Sequence, residues 1–325
     1  MNDRRRLGAL ALVVSVAFLA PARGWAENVC PESVVRIVAP FPAGGPTDVA
    51  ARILAEKLKD RLGQNVIVES RGGAGGATGT GYVAQQAGNG CTMLLAYDTH
   101  AVNPVLLHLP FDTVTAFKPV VMIGTIPNII GANPAQPYKT FAEMVTEAKK
   151  EPDRLAYATG GAGTVSHMSM KLIEQHYGMS LRNVPYRGGA PAAADLVAGH
   201  VPMMVGSVQA LGNFVKDGKV RALVQLGAKR HPMLPDTPTI DELGMRGFSS
   251  ASWMGIFVPS ATSDSTVKRL HDELTVVLGD AWVGQRMASM GVQLSPGSSA
   301  ELGAFVKTQI ARWGDVVKRY NIKAE

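Results

Sequence analysis

Short apolar runs alternate with longer segments of helical period along most of the chain. Residues 35–40, 65–69 and 92–97 read as strands, and residues 48–62 and 78–87 as helices between them. In the first helix Val49, Ile53, Leu54, Leu58 and Leu62 fall on one side, Thr47 or Asp48 caps the start, and Gly63 stops it. Apolar runs at 118–123 and 128–132 are separated by Thr125-Ile126-Pro127, and a helix over 141–150 follows Thr140 as its cap. From Leu155 the alternation restarts, with strands at 155–158, 181–186, 201–205 and 220–226. Helices at 165–177, 191–198 and 209–215 lie between them, and the proline-rich stretch 232–238 ends the run. A strand at 252–258 and helices at 265–278, 281–290 and 299–320 complete the chain. The pattern predicts an α/β fold of two similar lobes joined by more than one crossing strand, each lobe a mainly parallel sheet flanked by helices.

Two strand-to-helix junctions stand out. Residues 40–48 read PFPAGGPTD and residues 159–167 read TGGAGTVSH. Both run from a strand through Gly-Gly to a threonine and an amphipathic helix. Glycine lets a ligand approach bare backbone, and a helix start offers unpaired N–H groups at the positive end of a dipole. A small anion suits such a place. One such turn is ordinary folding chemistry; two, one per lobe, suggest facing cradles at the carboxyl ends of the strands.

The first 26 residues read as a cleaved export signal: Arg4-Arg5-Arg6, an apolar stretch from Leu7 to Ala20, and Gly24-Trp25-Ala26 at the cleavage site. The formal charge of +6 falls to +3 once Arg4, Arg5, Arg6, Arg23 and Asp3 are removed, too mild for a nucleic-acid partner. Export gives the two cysteines meaning. Cys30 and Cys91 each precede a strand, and parallel neighbours would bring them together as a disulfide; the alternative is two separate small buried residues.

Motifs for catalysis are poor. Gly79 to Ala84 fits G-x-G-x-x-A, but the loop 71–78 separates it from the preceding strand, which puts its glycines inside a helix. Neither a Walker loop nor a G-x-S-x-G elbow occurs, and the seven histidines show no zinc spacing. His167 alone stands beside a glycine-rich turn, where a helix-start hydrogen bond explains it better than a catalytic base. The expectation is a protein without catalysis, cofactor or metal.

Six segments stand together: residues 40–48, Arg71-Gly72-Gly73-Ala74-Gly75-Gly76, Thr99-His100 with Asn103-Pro104, residues 157–167, Val184-Pro185-Tyr186-Arg187-Gly188 with Pro191 and Asp195, and Pro235-Asp236-Thr237-Pro238-Thr239 with Glu242 and Gly244. On these, from Val35 onward the chain resembles the periplasmic solute-binding receptors of tripartite tricarboxylate transporters, the Bug family. The resemblance implies a type II-like Venus flytrap, with residues 27–124 plus 235–325 as one lobe and 125–234 as the other. It also implies a monomer in the periplasm that closes on a small carboxylate and delivers it to an ion-driven membrane permease.

Carried onto this chain, the resemblance puts Phe41, Ala43, Gly44, Gly45, Thr47 and Asp48 at one end of the ligand, partly through water. Thr159, Gly160, Gly161, Thr164 and His167 form the second grip, with Thr99 and Asn103 facing the same cleft and Arg187 as a further contact. Asp48 and Asp195 also read as helix caps. Two positions depart from the family. Cys91 replaces a common tyrosine, and Asp98 stands where small or uncharged residues are usual. A carboxylate at Asp98 favours a ligand with a donor at its second end; the alternative is a cap for the segment after it. Two other readings stay open: an exported enzyme acting on a small acid, and a ligand-presenting subunit of a membrane sensor.

Overall fold

The computed structural model describes residues 28–186 and 188–323. The expected export signal and Arg187 lie outside the described residues. In chain order the first part comprises β1 (Val34–Ala39), α1 (Pro46–Leu62), β2 (Asn65–Ser70), α2 (Ala77–Ala84), β3 (Thr92–Tyr97) and α3 (Thr99–Leu106). The long strand β4 (Phe117–Ala132) and α4 (Phe141–Lys150) come next. They are followed by β5 (Ala156–Thr159), α5 (Val165–Tyr177), β6 (Arg182–Pro185), α6 (Gly189–Ala198), β7 (Met203–Ser207), α7 (Val208–Lys216) and β8 (Arg221–Gln225). The chain ends with β9 (Ala251–Pro259), α8 (Asp264–Leu278), α9 (Ala281–Ser289), β10 (Gln293–Gly297) and α10 (Ser299–Tyr320).

The strands lie in the order β2-β1-β3-β9-β4-β7-β5-β6, with β8 and β10 also paired to β4. Pairings are parallel toward the outer sides, β2-β1-β3 and β7-β5-β6, and antiparallel wherever β4 or β9 takes part with these central strands. The sheets are therefore mixed, where the sequence pattern predicts mainly parallel ones. The two apolar runs on either side of Thr125-Ile126-Pro127 are one continuous strand. Pro127, which has no N–H to give a ladder, falls where β4 changes partners: Pro127 opposes Ala251 of β9, and Asn128 opposes Ser207 of β7. The first helix starts at Pro46 with Gly45 as its cap, not at Thr47 or Asp48.

Successive strand residues feed cores on opposite faces, which explains their unbroken apolar character. In β3, Met93 and Leu95 join the core under α1 and α8, while Leu94 and Ala96 join the one with Trp253 and Leu302. In β4, Ile130 points into the second lobe's core with Phe141 and Ile173, and Ile129 into the opposite one with Leu196 and Leu211. Ile240 and Phe248 pack with Phe141 and Ile173 as well, although they follow the proline-rich stretch. The first lobe also carries the Cys30–Cys91 disulfide, with Cα atoms 4.6 Å apart. Gln64 seals this end, accepting from the Cys30 amide (3.2 Å) and donating to its carbonyl (2.7 Å).

Candidate functional site

Residues 40–46 leave β1 and enter α1 through exposed backbone at Ala43 and Gly44. Gly44 has φ +79°, a left-handed conformation that favours glycine. Pro46 takes the first helical position, so no amide is lost there. Asp48 clasps the loop from inside the first turn. Its carboxylate accepts from the Gly44 amide (2.9 Å), from Ser70 Oγ (2.7 Å) and from Arg52 Nε and Nη2 (3.0 Å each). The Arg52 hydrogen bonds outweigh burial and hold the carboxyl down to about 2. Asp48 is thus committed to the loop and to Arg52. What remains are donors. The amides of Thr47 and Asp48 have no acceptor among the described residues, and Thr47 Oγ1 is buried without a partner.

The second loop repeats this logic with different parts. Thr164 caps α5, accepting from the His167 amide (3.4 Å) while donating to the Gly161 carbonyl (2.8 Å). His167 turns back to accept the Gly163 amide on Nδ1 (3.1 Å). Burial, followed by the nearby Lys171, pushes its ring down to about 4, so it stays neutral as an acceptor. Thr159 Oγ1 lies 3.0 Å from Asn183 Oδ1 and 3.2 Å from the Gly161 carbonyl, and Gly160 accepts from the Gly188 amide (3.1 Å). The amides of Ala162, Val165 and Ser166 have no acceptor among the described residues. A Cβ on Gly163 would overlap Leu106, so this loop lies against the end of α3 in the other lobe.

Helix α3 and the glycine loop before α2 complete the first side. Phe41 stacks edge-on against Tyr97 (5.9 Å) and covers Gly76, which also abuts Thr99 Oγ1. Asn103 Nδ2 donates to the Gly75 carbonyl (3.0 Å) and braces that loop. Asp98 sits at the cap position of α3 but has helical dihedrals and makes no capping bond. It is 5% exposed, with Ser252 and the Thr99 amide beside its carboxyl. Burial pushes it up to about 6. Asp195 is no cap either: inside α6 it accepts from Tyr186 Oη (2.6 Å) and faces His200 (3.3 Å). Sequence reasoning left out Gly75, Gly76, Tyr97 and Ser252. Only the glycines carried a signal, as a run; Ser252 comes to Asp98 from a strand more than 150 residues later.

The second loop offers a direct test. Gly161 has φ +145°, where a β-branched residue is strained, and its backbone is accessible. Gly161→Val should weaken ligand binding about tenfold with the fold retained, and Thr164→Ala should cost about 1 kcal/mol in stability or binding. Calorimetry and thermal melting read both. Unchanged affinity in both variants would place the site elsewhere.

Two lobes joined through the long strand β4, each with a glycine-rich helix start whose amides have no acceptor among the described residues, define a two-lobed solute-binding protein. The chain belongs to the tripartite tricarboxylate transporter family receptors, whose sequence profile matches residues 50–322. It is 29% identical to Protein BugT of Bordetella pertussis, over 99% of both chains. A Rhodopseudomonas palustris protein solved with adipate, Rpa4515, superposes with a TM-score of 0.80 at 30% identity, over 90% of this chain and 98% of that one. MatC (Rpa3494) from the same organism, solved with bound malate, gives 0.76 at 31% identity, over 87% and 98%.

Proposed function

We propose that this protein captures a small carboxylate in the periplasm and delivers it to the permease of a tripartite tricarboxylate-type transporter, as a monomer and without catalysis. The observation that carries the reading is the pair of glycine-rich helix starts with unclaimed amides, at Thr47–Asp48 and at Ala162, Val165 and Ser166. Amides of this kind, at the positive ends of two helix dipoles, favour a carboxylate over a neutral solute. The adipate and malate bound by two relatives support the same class of ligand. Arg52 neutralises Asp48, so the first loop presents little net negative charge despite its acidic residue.

The packing supports a division of lobes that differs from 27–124 plus 235–325 and 125–234. Ile240 and Phe248 belong with the second lobe's core, and β4 and the chain at 250–251 change partners together. We place residues 128–250 in the second lobe and the remainder of the described chain in the first.

A carboxylate that binds only the folded protein should stabilise it by about 2.7 kcal/mol at a hundredfold excess over its dissociation constant. Thermal melting against mono-, di-, tri- and aromatic carboxylates, followed by calorimetry, checks this. Failure of the whole panel to give a shift or a heat would sink the reading. Native mass spectrometry of gently purified protein would identify a retained acid.

A further inference from the structure

Helix α10 serves both lobes. Its first half joins the first lobe's core through Leu302 and Val306. Its second half leaves that core. There Trp313 and Val316 form one apolar cluster with Val102 of α3 and with Val165 and Met168 of α5. These are the two helices whose starts lie at Thr99 and at the Thr164 cap. Trp313 is 1% exposed and is the largest side chain of the cluster. Polar contacts flank it on both sides. Arg312 Nη1 donates to the Ser249 carbonyl (2.9 Å) in the crossing segment, with its guanidinium over Trp313 (4.6 Å) and Phe248 (5.2 Å). At the far end Tyr320 Oη (2.5 Å) and Arg319 Nη1 (3.2 Å) both donate to Gln175 Oε1 near the end of α5.

We propose that Trp313 is a positioning residue for ligand capture: it holds the first turn of α5 against α3, and so sets how the two glycine-rich loops face each other. Val165 and Met168 belong to the turn that follows the Thr164 cap, so a shift of their packing surface moves the donors at Val165 and Ser166 directly. Dense packing transmits such a shift instead of absorbing it. Removing the indole leaves a void bordered by side chains from both lobes and uncouples α5 from α3. The apparent affinity then falls by the fraction of molecules in which the two loops still face each other. Trp313 does this without touching the ligand, since its indole is buried in the apolar cluster beneath the Arg312 guanidinium.

The experiment compares wild type with Trp313→Ala, Trp313→Phe and Gln175→Ala. Hydrogen exchange is followed by mass spectrometry without ligand, and calorimetry is run with adipate and malate. In Trp313→Ala, peptides covering residues 99–106 and 165–172 should exchange about tenfold faster, while β1 and β2 keep wild-type protection. Affinity should fall about tenfold, with Trp313→Phe recovering most of it. Gln175→Ala lies at an exposed contact and should fold normally, with faster exchange in 165–172 alone. The exchange result stands apart from the carboxylate reading; if that reading fails, wild type gives no heat while the exchange comparison still decides. Unaltered protection of both helices in Trp313→Ala would overturn the proposal, as would loosening spread evenly over the whole chain. Should Trp313→Ala fail to fold, wild-type exchange of residues 165–172 in Gln175→Ala would overturn it equally.

Discussion

Reduction of the Cys30–Cys91 bond should lower the stability of the protein by about 4 kcal/mol. The bond closes a loop of 61 residues, and loop-closure entropy at that length gives this magnitude in the unfolded chain. Both cysteines are almost fully buried, at 0% and 2% exposure, beside the Gln64 seal. The bond fixes the start of β1 to the start of β3, the two strands whose far ends carry the first loop and α3. Urea unfolding with and without reductant measures the effect. The reduced protein should also show a steeper denaturant dependence, because its unfolded state is less compact. The oxidised protein, denatured without reductant, should titrate no free thiol. Two titratable thiols in protein purified from the periplasm would refute the bond. A Cys30→Ser/Cys91→Ser variant as stable as the oxidised protein would refute its importance.

The helices were legible because their signals are local. Thr140 caps its helix as its position suggests, and Gly63 ends the first helix in the left-handed region. α10 spans residues 299–320 as its period predicts. Sheet pairing is not local. Nothing in the residues of β9 announces that it returns antiparallel between β3 and β4, and β10, with its Ser-Pro-Gly, lacks an apolar alternation. Pro127 misled for a physical reason: proline usually ends a strand, and here it occupies the one position where β4 exchanges its neighbours. The site shows the same contrast. Both glycine-rich turns were readable, whereas the tasks of their polar residues depend on tertiary partners. Asp48, His167 and Asn103 look like ligand contacts in sequence, yet each spends hydrogen bonds on holding a glycine loop in place. Apart from the Thr47 hydroxyl, the donors these turns leave without an acceptor among the described residues are backbone amides, which sequence identity does not mark.

Asp98→Asn should make the protein more stable at pH 7 by about 3 kcal/mol, and by less than about 1 kcal/mol at pH 4. Burial raises the Asp98 carboxyl from 3.8 to about 6, with Ser252 and the Thr99 amide only partly offsetting it. For an acid whose folded value lies above its unfolded one, the folded state binds the extra proton between those two values. Stability is then highest below about 3.8 and declines as pH rises to about 6, beyond which the full penalty of a buried charge remains. Asparagine keeps an acceptor for Ser252 and carries no charge, so it removes the penalty where there is one. Denaturant unfolding at both pH values checks the sign, and an equal gain at pH 4 and pH 7 would disprove the buried-charge account. The same variant tests the ligand's second end. Thr99, next in the chain, borders the Phe41 and Gly76 surface, so a charged Asp98 there would repel a second carboxylate and favour an ammonium, ring N–H or hydroxyl. On that proposal Asp98→Asn weakens amino, hydroxy or nitrogen-ring acids and strengthens plain dicarboxylates such as adipate. If calorimetry finds every affinity unchanged, Asp98 is a buried carboxyl behind the site, and the preference for a donor-ended ligand falls with it.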